Sequence, residues 1–399
     1  MKRLIALIGA VSLSIDVFAA VALSNVKIQQ RYPWNGKVDI SFNVASTREN
    51  VSVAVSALDT KTGNPAPVAT LYKADGTKME YPFEVPKGKN KIVWDASADL
   101  PSGFKSDALA VSLTAGPVDN RQKYFIIDLS GGPNATRYPV TMTDTMPEGG
   151  WTDEYKTTKM VLKLVSPGTF IQGPNPGFVA ANGISDGASR PVTLTKPYYL
   201  GIFPVTQKQW RLIMGDNSAN QRMKIGYTKD TDVAYNTYPG VLRGEKGKQF
   251  PDSYDVDEDS FVGRLRARTS TWIDLPSEAQ WEYACRAGTT TAYSTGTDQL
   301  TDSVRYHLDN LPNAWGFYYM SALHTAEVCA GFFEVHYGTA HVIDPLGLTW
   351  TSANGTWSIR GSEFSVKYAS NSRMGQGKED WWRDDDRLSC RIALWCDRD

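Results

Sequence analysis

Cysteine and histidine are scarce in this 399-residue chain, and both are confined to its C-terminal half. The cysteines are Cys285, Cys329, Cys390 and Cys396; the histidines are His307, His324, His336 and His341. Everything before Cys285 therefore lacks a thiol or imidazole that could act as nucleophile, base or soft metal ligand. Net charge is also small: Lys+Arg 42 against Asp+Glu 43 gives -1, with pI ≈ 6.5. Such a chain has no global field to draw it to nucleic acid or to an anionic membrane. Beyond residue 22 no apolar run is long enough to span a bilayer, so none is expected to cross a membrane once the N-terminus is removed.

What is present begins with an export signal. Lys2 and Arg3 precede the short apolar run Leu4 to Leu13, and Ala20-Val21-Ala22 supplies an A-x-A cleavage site. Residues 1–22 read as a signal peptide, which predicts a secreted, periplasmic or cell-envelope protein. Hydrophobic residues at 41% and charged residues at 21% suit a folded globular chain, and the length predicts two domains.

Residues 23–117 show period-two patterning. Val38-Asp39-Ile40-Ser41-Phe42-Asn43-Val44 alternates, as does Val51-Ser52-Val53-Ala54-Val55. Turn residues at Thr62-Gly63-Asn64-Pro65, Ala74-Asp75-Gly76 and Pro86-Lys87-Gly88 separate the runs. This predicts an antiparallel β-sandwich, with no glycine-rich phosphate loop and no catalytic constellation. Residues 118–150 read as a transition or linker containing one strand near Tyr124 to Leu129. Residues 151–399 read as an α+β domain.

Three helices are written into that second domain. Thr206 and Gln209 form a capping box ahead of Trp210, with Gly215 as the stop. A helix over Ser260 to Thr269 would turn Phe261, Val262 and Leu265 inward, with Asp259 as its cap. The third is Leu275-Pro276-Ser277-Glu278-Ala279-Gln280-Trp281-Glu282-Tyr283-Ala284-Cys285-Arg286-Ala287-Gly288. Ser277 and Gln280 make a second capping box, Trp281, Ala284 and Cys285 share one face, and Gly288 suits the left-handed stop.

That last segment resembles the LP-[ST]-EA-x-WEYA-x-R-x-G signature of the formylglycine-generating enzyme, or sulfatase-modifying factor, family. Further pieces come in the family's order: Gly168 to Gly173, Tyr198 to Trp210, Pro312 to Tyr318, Trp357 to Gly361 and Leu388 to Leu394. The resemblance implies a C-type-lectin-like α+β fold from about Thr152 to Leu394. It also implies a disulfide from the Cys285 helix to the closing strand, with Cys390 as the expected partner and Cys396 as the alternative. If the last residues form a strand, Cys390 and Cys396 are ~20 Å apart and cannot pair with each other.

Family oxidases convert a sulfatase cysteine to formylglycine with copper held by two cysteines just after the strand that Trp357 to Gly361 resembles. The matching region, Arg360 to Asn371, has none. The calcium-loop segment Ala322 to Val328 keeps only Glu327 of the family's ligands, so calcium is not expected. The histidines fit no common ligand spacing, and Asp255 to Asp259 lacks the Gly and Glu of an EF-hand loop. The expectation is thus no catalytic residues, no metal and no cofactor, with copper only under the alternative of a copper-dependent oxidase that converts a sulfatase cysteine to formylglycine; a divergent oxidase of the same superfamily is the other enzymatic alternative. Arg373, Trp381, Trp382, Arg383 and Asp384, in the polar aromatic stretch before the last strand, are the expected ligand surface for a protein or glycan. Neighbouring tryptophans in an extended segment cannot both face inward.

Overall fold

A computed structural model describes residues 21–396 except 34, 48, 60, 62–64, 67, 69, 80–82, 101–107, 118–120, 174–188, 216–228, 235–238, 292, 298, 300, 321–324, 333–337, 350–356, 363–372 and 376–387. The expected signal peptide lies outside these residues but for its last two positions. Residues up to Asn120 form one compact unit, and most of the chain from Arg121 on forms a second.

The first unit is two antiparallel sheets around one core. Its strands are β1 (Ala22–Gln30), β2 (Lys37–Ala45), β3 (Asn50–Asp59), β4 (Pro65–Ala66), β5 (Leu71–Lys73), β6 (Glu84–Pro86), β7 (Gly88–Asp95) and β8 (Leu109–Pro117). One sheet runs β1-β2-β7-β5; in the other, β3 pairs with β4, β6 and β8. Period-two patterning decides which side chains enter the core. Val38, Ile40, Phe42 and Val44 of β2 are buried against Val51, Val53 and Val55 of β3, while Asp39, Ser41 and Asn43 point away. A short helix, α1 (Ala96–Asp99), follows β7; Asp99 accepts the Trp94 indole N–H at 2.8 Å and the Thr70 backbone N–H at 2.9 Å.

The second unit is α+β. Its largest sheet is antiparallel, in the order β10 (Val140–Thr143), β9 (Tyr124–Asp128), β11 (Lys159–Val165), β14 (Tyr198–Gly201), β21 (Ala393–Trp395), β15 (Ile273–Asp274). The expected linker therefore contains two strands of this sheet. One of them, β9, is the strand expected near Tyr124 to Leu129; its Phe125, Ile126 and Ile127 are consecutive and all buried, as in a strand covered on both faces. A three-stranded sheet joins β12 (Gly168–Gln172), β13 (Arg190–Leu194) and β17 (Val342–Ile343). A four-stranded sheet runs β19 (Arg373–Gly375), β18 (Trp357–Ser362), β16 (Thr325–Phe332), β20 (Leu388–Ser389).

The helices are α2 (Gln207–Met214), α3 (Pro239–Leu242), α4 (Phe261–Thr269), α5 (Glu278–Arg286) and α6 (Asp302–Asn310). Both expected capping boxes are formed, at Thr206–Gln209 and Ser277–Gln280. The cap of α4 is Ser260 rather than Asp259: its hydroxyl accepts the Gly263 N–H at 3.1 Å. Asp257, in the acidic run before it, accepts the Glu245 N–H at 2.7 Å, so this carboxylate braces a turn. Helix α6 is not among the helices expected from the sequence; Thr301 caps it by accepting the Val304 N–H.

Candidate functional site

Trp281, Ala284 and Cys285 are buried, as the spacing of α5 requires, but so is every other residue of that helix. Glu278, Glu282 and Arg286 lie i, i+4, i+8 on a helix with no solvent face. Each charge therefore needs a partner, because an unpaired buried ion is costly. Glu282 Oε1 accepts Arg286 Nε at 2.9 Å and the Gly173 N–H at 3.0 Å. Its Oε2 accepts Arg360 Nη2 from β18, and Arg360 Nε is 3.1 Å from Glu278 Oε1. Arg286 donates onward to the Gly173 carbonyl at 2.7 Å.

A second carboxylate couples α5 to β16. Glu327 Oε2 accepts the Trp281 indole N–H at 2.8 Å and Arg391 Nε at 2.7 Å; Oε1 accepts Arg391 Nη2 at 2.8 Å. Arg391 also donates to the carbonyls of Gly201 at 2.8 Å and Tyr318 at 3.0 Å. Three carboxylates and three guanidiniums thus balance within the core. Together they tie α5 to β18 and β16 of the four-stranded sheet. A comparable cluster, Arg243–Asp274–Arg266, fixes β15 beside α4.

Cys329 sits on β16 two residues from Glu327 and is fully buried. Burial, reinforced by the Glu278 carboxylate, pushes its thiol well above the ordinary range, so it is an inert core side chain rather than a nucleophile.

The expected ligand residues divide. Trp381, Trp382, Arg383 and Asp384 lie outside the described residues. Arg373 begins β19 and pairs through its backbone with Arg360, at the edge of the four-stranded sheet. The expected Cys285–Cys390 bridge is not formed: all four cysteines are buried and no disulfide joins any of them. By the family resemblance the closing-strand cysteine would stand at Ile392, which is itself buried, and thiols pack well as small apolar groups. His307 Nε2 is 3.0 Å from the Pro312 carbonyl and His341 Nε2 is 2.8 Å from Thr193 Oγ1; His324 and His336 lie outside the described residues. Sequence reasoning missed the partners of Glu282, Glu327, Arg360 and Arg391. The available signal was charge inside otherwise apolar segments, such as Trp357 to Gly361 and Cys390 to Leu394.

The Sulfatase-modifying factor enzyme 1-like domain family matches residues 152–390, more than half of the chain. The chain belongs to this family. Among solved structures, the domain is similar to Treponema denticola variable protein 1, at 17% identity and a TM-score of 0.43, covering 59% of this chain and 95% of that one. It is also similar to PvdO from Pseudomonas aeruginosa, at 19% identity and a TM-score of 0.37, covering 59% and 94%. Comparison with curated proteins finds no match. In this sulfatase-modifying-factor-like domain the signature helix is α5, and its buried charges hold the surrounding strands in place. Among the described residues no helix is long and apolar enough to cross a membrane.

Proposed function

We propose that this chain is an exported binding protein whose sulfatase-modifying-factor-like domain presents a protein or glycan ligand surface from the stretch Arg373 to Asp384 and performs no copper chemistry. One observation carries the reading. The segment from Arg360 to Asn371, where the family's two copper ligands would stand, contains no cysteine, and soft thiolates are what Cu(I) requires. The residues present do not fit that ion.

Calcium is disfavoured on separate grounds. Glu327, the family calcium-loop residue that remains, has both oxygens committed to Arg391 and Trp281. A hard cation would have to displace a buried guanidinium to reach it. The ligand residues of this reading are Arg373, Trp381, Trp382, Arg383 and Asp384, because rigid aromatics among charges suit an interface.

The test is copper analysis of the purified full chain together with incubation of a cysteine-containing sulfatase peptide with Cu(I). The peptide is expected to stay a thiol. Aldehyde formation would establish the alternative, a copper-dependent oxidase that works without the cysteine pair.

A further inference from the structure

One edge of the six-stranded sheet is open. Strand β10 ends that sheet, and among the described residues no strand pairs with its outer side. An exposed edge strand is a template for pairing with another chain, and proteins guard such edges with bulges, charged residues, proline or brevity. Strand β1, an edge of the first unit, shows the usual guard: a register shift between Ser24 and Lys27, with a lysine at the break. Strand β15, at the far side of the six-stranded sheet, has only two residues. By contrast, Val140-Thr141-Met142-Thr143 carries no charge, no proline and no bulge. Thr141 and Met142 are exposed.

The register decides which backbone groups face outward. The Asp128 N–H donates to the Pro139 carbonyl at 2.8 Å, and these two residues continue the β9–β10 register. Hydrogen-bonded pairs alternate along an antiparallel ladder, so Thr141 and Thr143 bond β9, while the N–H and C=O of Val140 and Met142 point to the open edge. On the other side of β9 the Leu129 N–H donates to the Thr158 carbonyl at 2.7 Å, which gives β9 the same alternation. The N–H that Pro139 lacks would have faced β9, so the open edge loses nothing to it. The Tyr138 N–H is taken by the Arg268 carbonyl at 2.9 Å, which ends the free stretch.

These outward groups are self-complementary. Turned about a two-fold axis at Thr141, a second copy sets its Met142 against Val140 and its Val140 against Met142. Each pair exchanges both of its backbone hydrogen bonds, and each apolar side chain meets an apolar one across the junction. Thr141 meets its own counterpart, a favourable cross-strand pair. Charge agrees with the antiparallel direction. Arg137 precedes the strand, Asp144 and Glu148 follow it, and all three are exposed. Antiparallel pairing lays the basic end of each copy along the acidic end of the other, whereas parallel pairing sets like beside like. A net charge of -1 leaves no general repulsion between copies.

We propose that β10 pairs antiparallel with β10 of a second copy of this chain, about a two-fold axis at Thr141, joining the two six-stranded sheets into one.

Sedimentation of the full chain at concentrations up to about 200 μM measures the association. The unaltered chain is expected to form dimers. Met142→Pro is expected to stay monomeric with its melting temperature nearly kept, because the N–H it removes faces the open edge. Met142→Lys charges the edge without altering the backbone, and is expected to do the same if the proline variant fails to fold. Thr141→Cys tests the register. At a non-hydrogen-bonded pair the two Cα atoms stand ~4.5 Å apart, within the ~4.4–6.8 Å that a disulfide spans. Diamide is expected to cross-link that variant about tenfold or more faster than Thr145→Cys, an exposed position off the axis. The four native cysteines are buried and give little background. A chain that sediments as a monomer at every concentration overturns the proposal. So does a dimer that survives both Met142 variants, or one in which Thr141→Cys cross-links no faster than Thr145→Cys.

Discussion

Glu327 and Arg391 meet through two parallel hydrogen bonds, 2.7 and 2.8 Å long, joining β16 to the closing segment of the chain inside a solvent-free core. The Trp281 indole completes the carboxylate's shell. The three residues lie far apart in sequence, so the joint brings together the signature helix, a central strand and the C-terminus.

Removing one partner should therefore be costly. Glu327→Ala leaves the Arg391 guanidinium buried without its counter-charge, and such losses run to about 3–5 kcal/mol. Urea unfolding of the variant is the measurement. A loss below about 1 kcal/mol would mean that water reaches the site.

The capping boxes predict a graded pair. Ser277→Ala removes one cap and should cost about 1 kcal/mol. Thr206→Ala should cost more, because the same hydroxyl also donates to the Lys156 carbonyl. The order of the two melting temperatures checks this; equal values would deny the second bond any weight.

Cys329 should resist alkylation in the native protein. Burial and the Glu278 carboxylate raise its pKa, so the thiolate stays scarce as pH rises from about 7 to about 9, where an exposed cysteine would ionise. Mass spectrometry after iodoacetamide treatment should find it unmodified when folded and modified in denaturant. Native labelling that accelerates with pH would overturn the assignment.

Trp381→Ala combined with Trp382→Ala should leave the melting temperature nearly unchanged if these indoles form a surface. If they are core residues, each should cost about 3–5 kcal/mol. Thermal unfolding decides between these before any ligand is known.

Much of the scaffold was legible in the sequence because it is written in local chemistry. Thr206 with Gln209 and Ser277 with Gln280 announce helix starts at a spacing fixed by the backbone, and the structure forms both. The alternation from Val38 to Val44 marks one buried face of a strand. At Asp259 the same reasoning selected the wrong cap. Asp and Ser are both good caps, and Ser260 took the position while Asp257 turned to Glu245.

The aromatic cluster around Tyr155 and Phe203 was not legible at all. Trp151, Phe203 and Tyr319 are ordinary aromatics in sequence, and only the packing of distant turns brings their rings into one cluster.

The sequence by itself determined the family, the starts of α2 and α5 and the faces that β2 and β3 bury, since these depend on neighbours within a few residues. It also determined the absence of a cysteine pair after Arg360. Only the tertiary structure decided which buried charge neutralises which, which sheet the strand expected near Tyr124 joins, and that Glu327 serves Arg391. The physical reason is that a buried ion or an apolar strand states a need locally, whereas the group that meets it comes from wherever the fold brings the chain back.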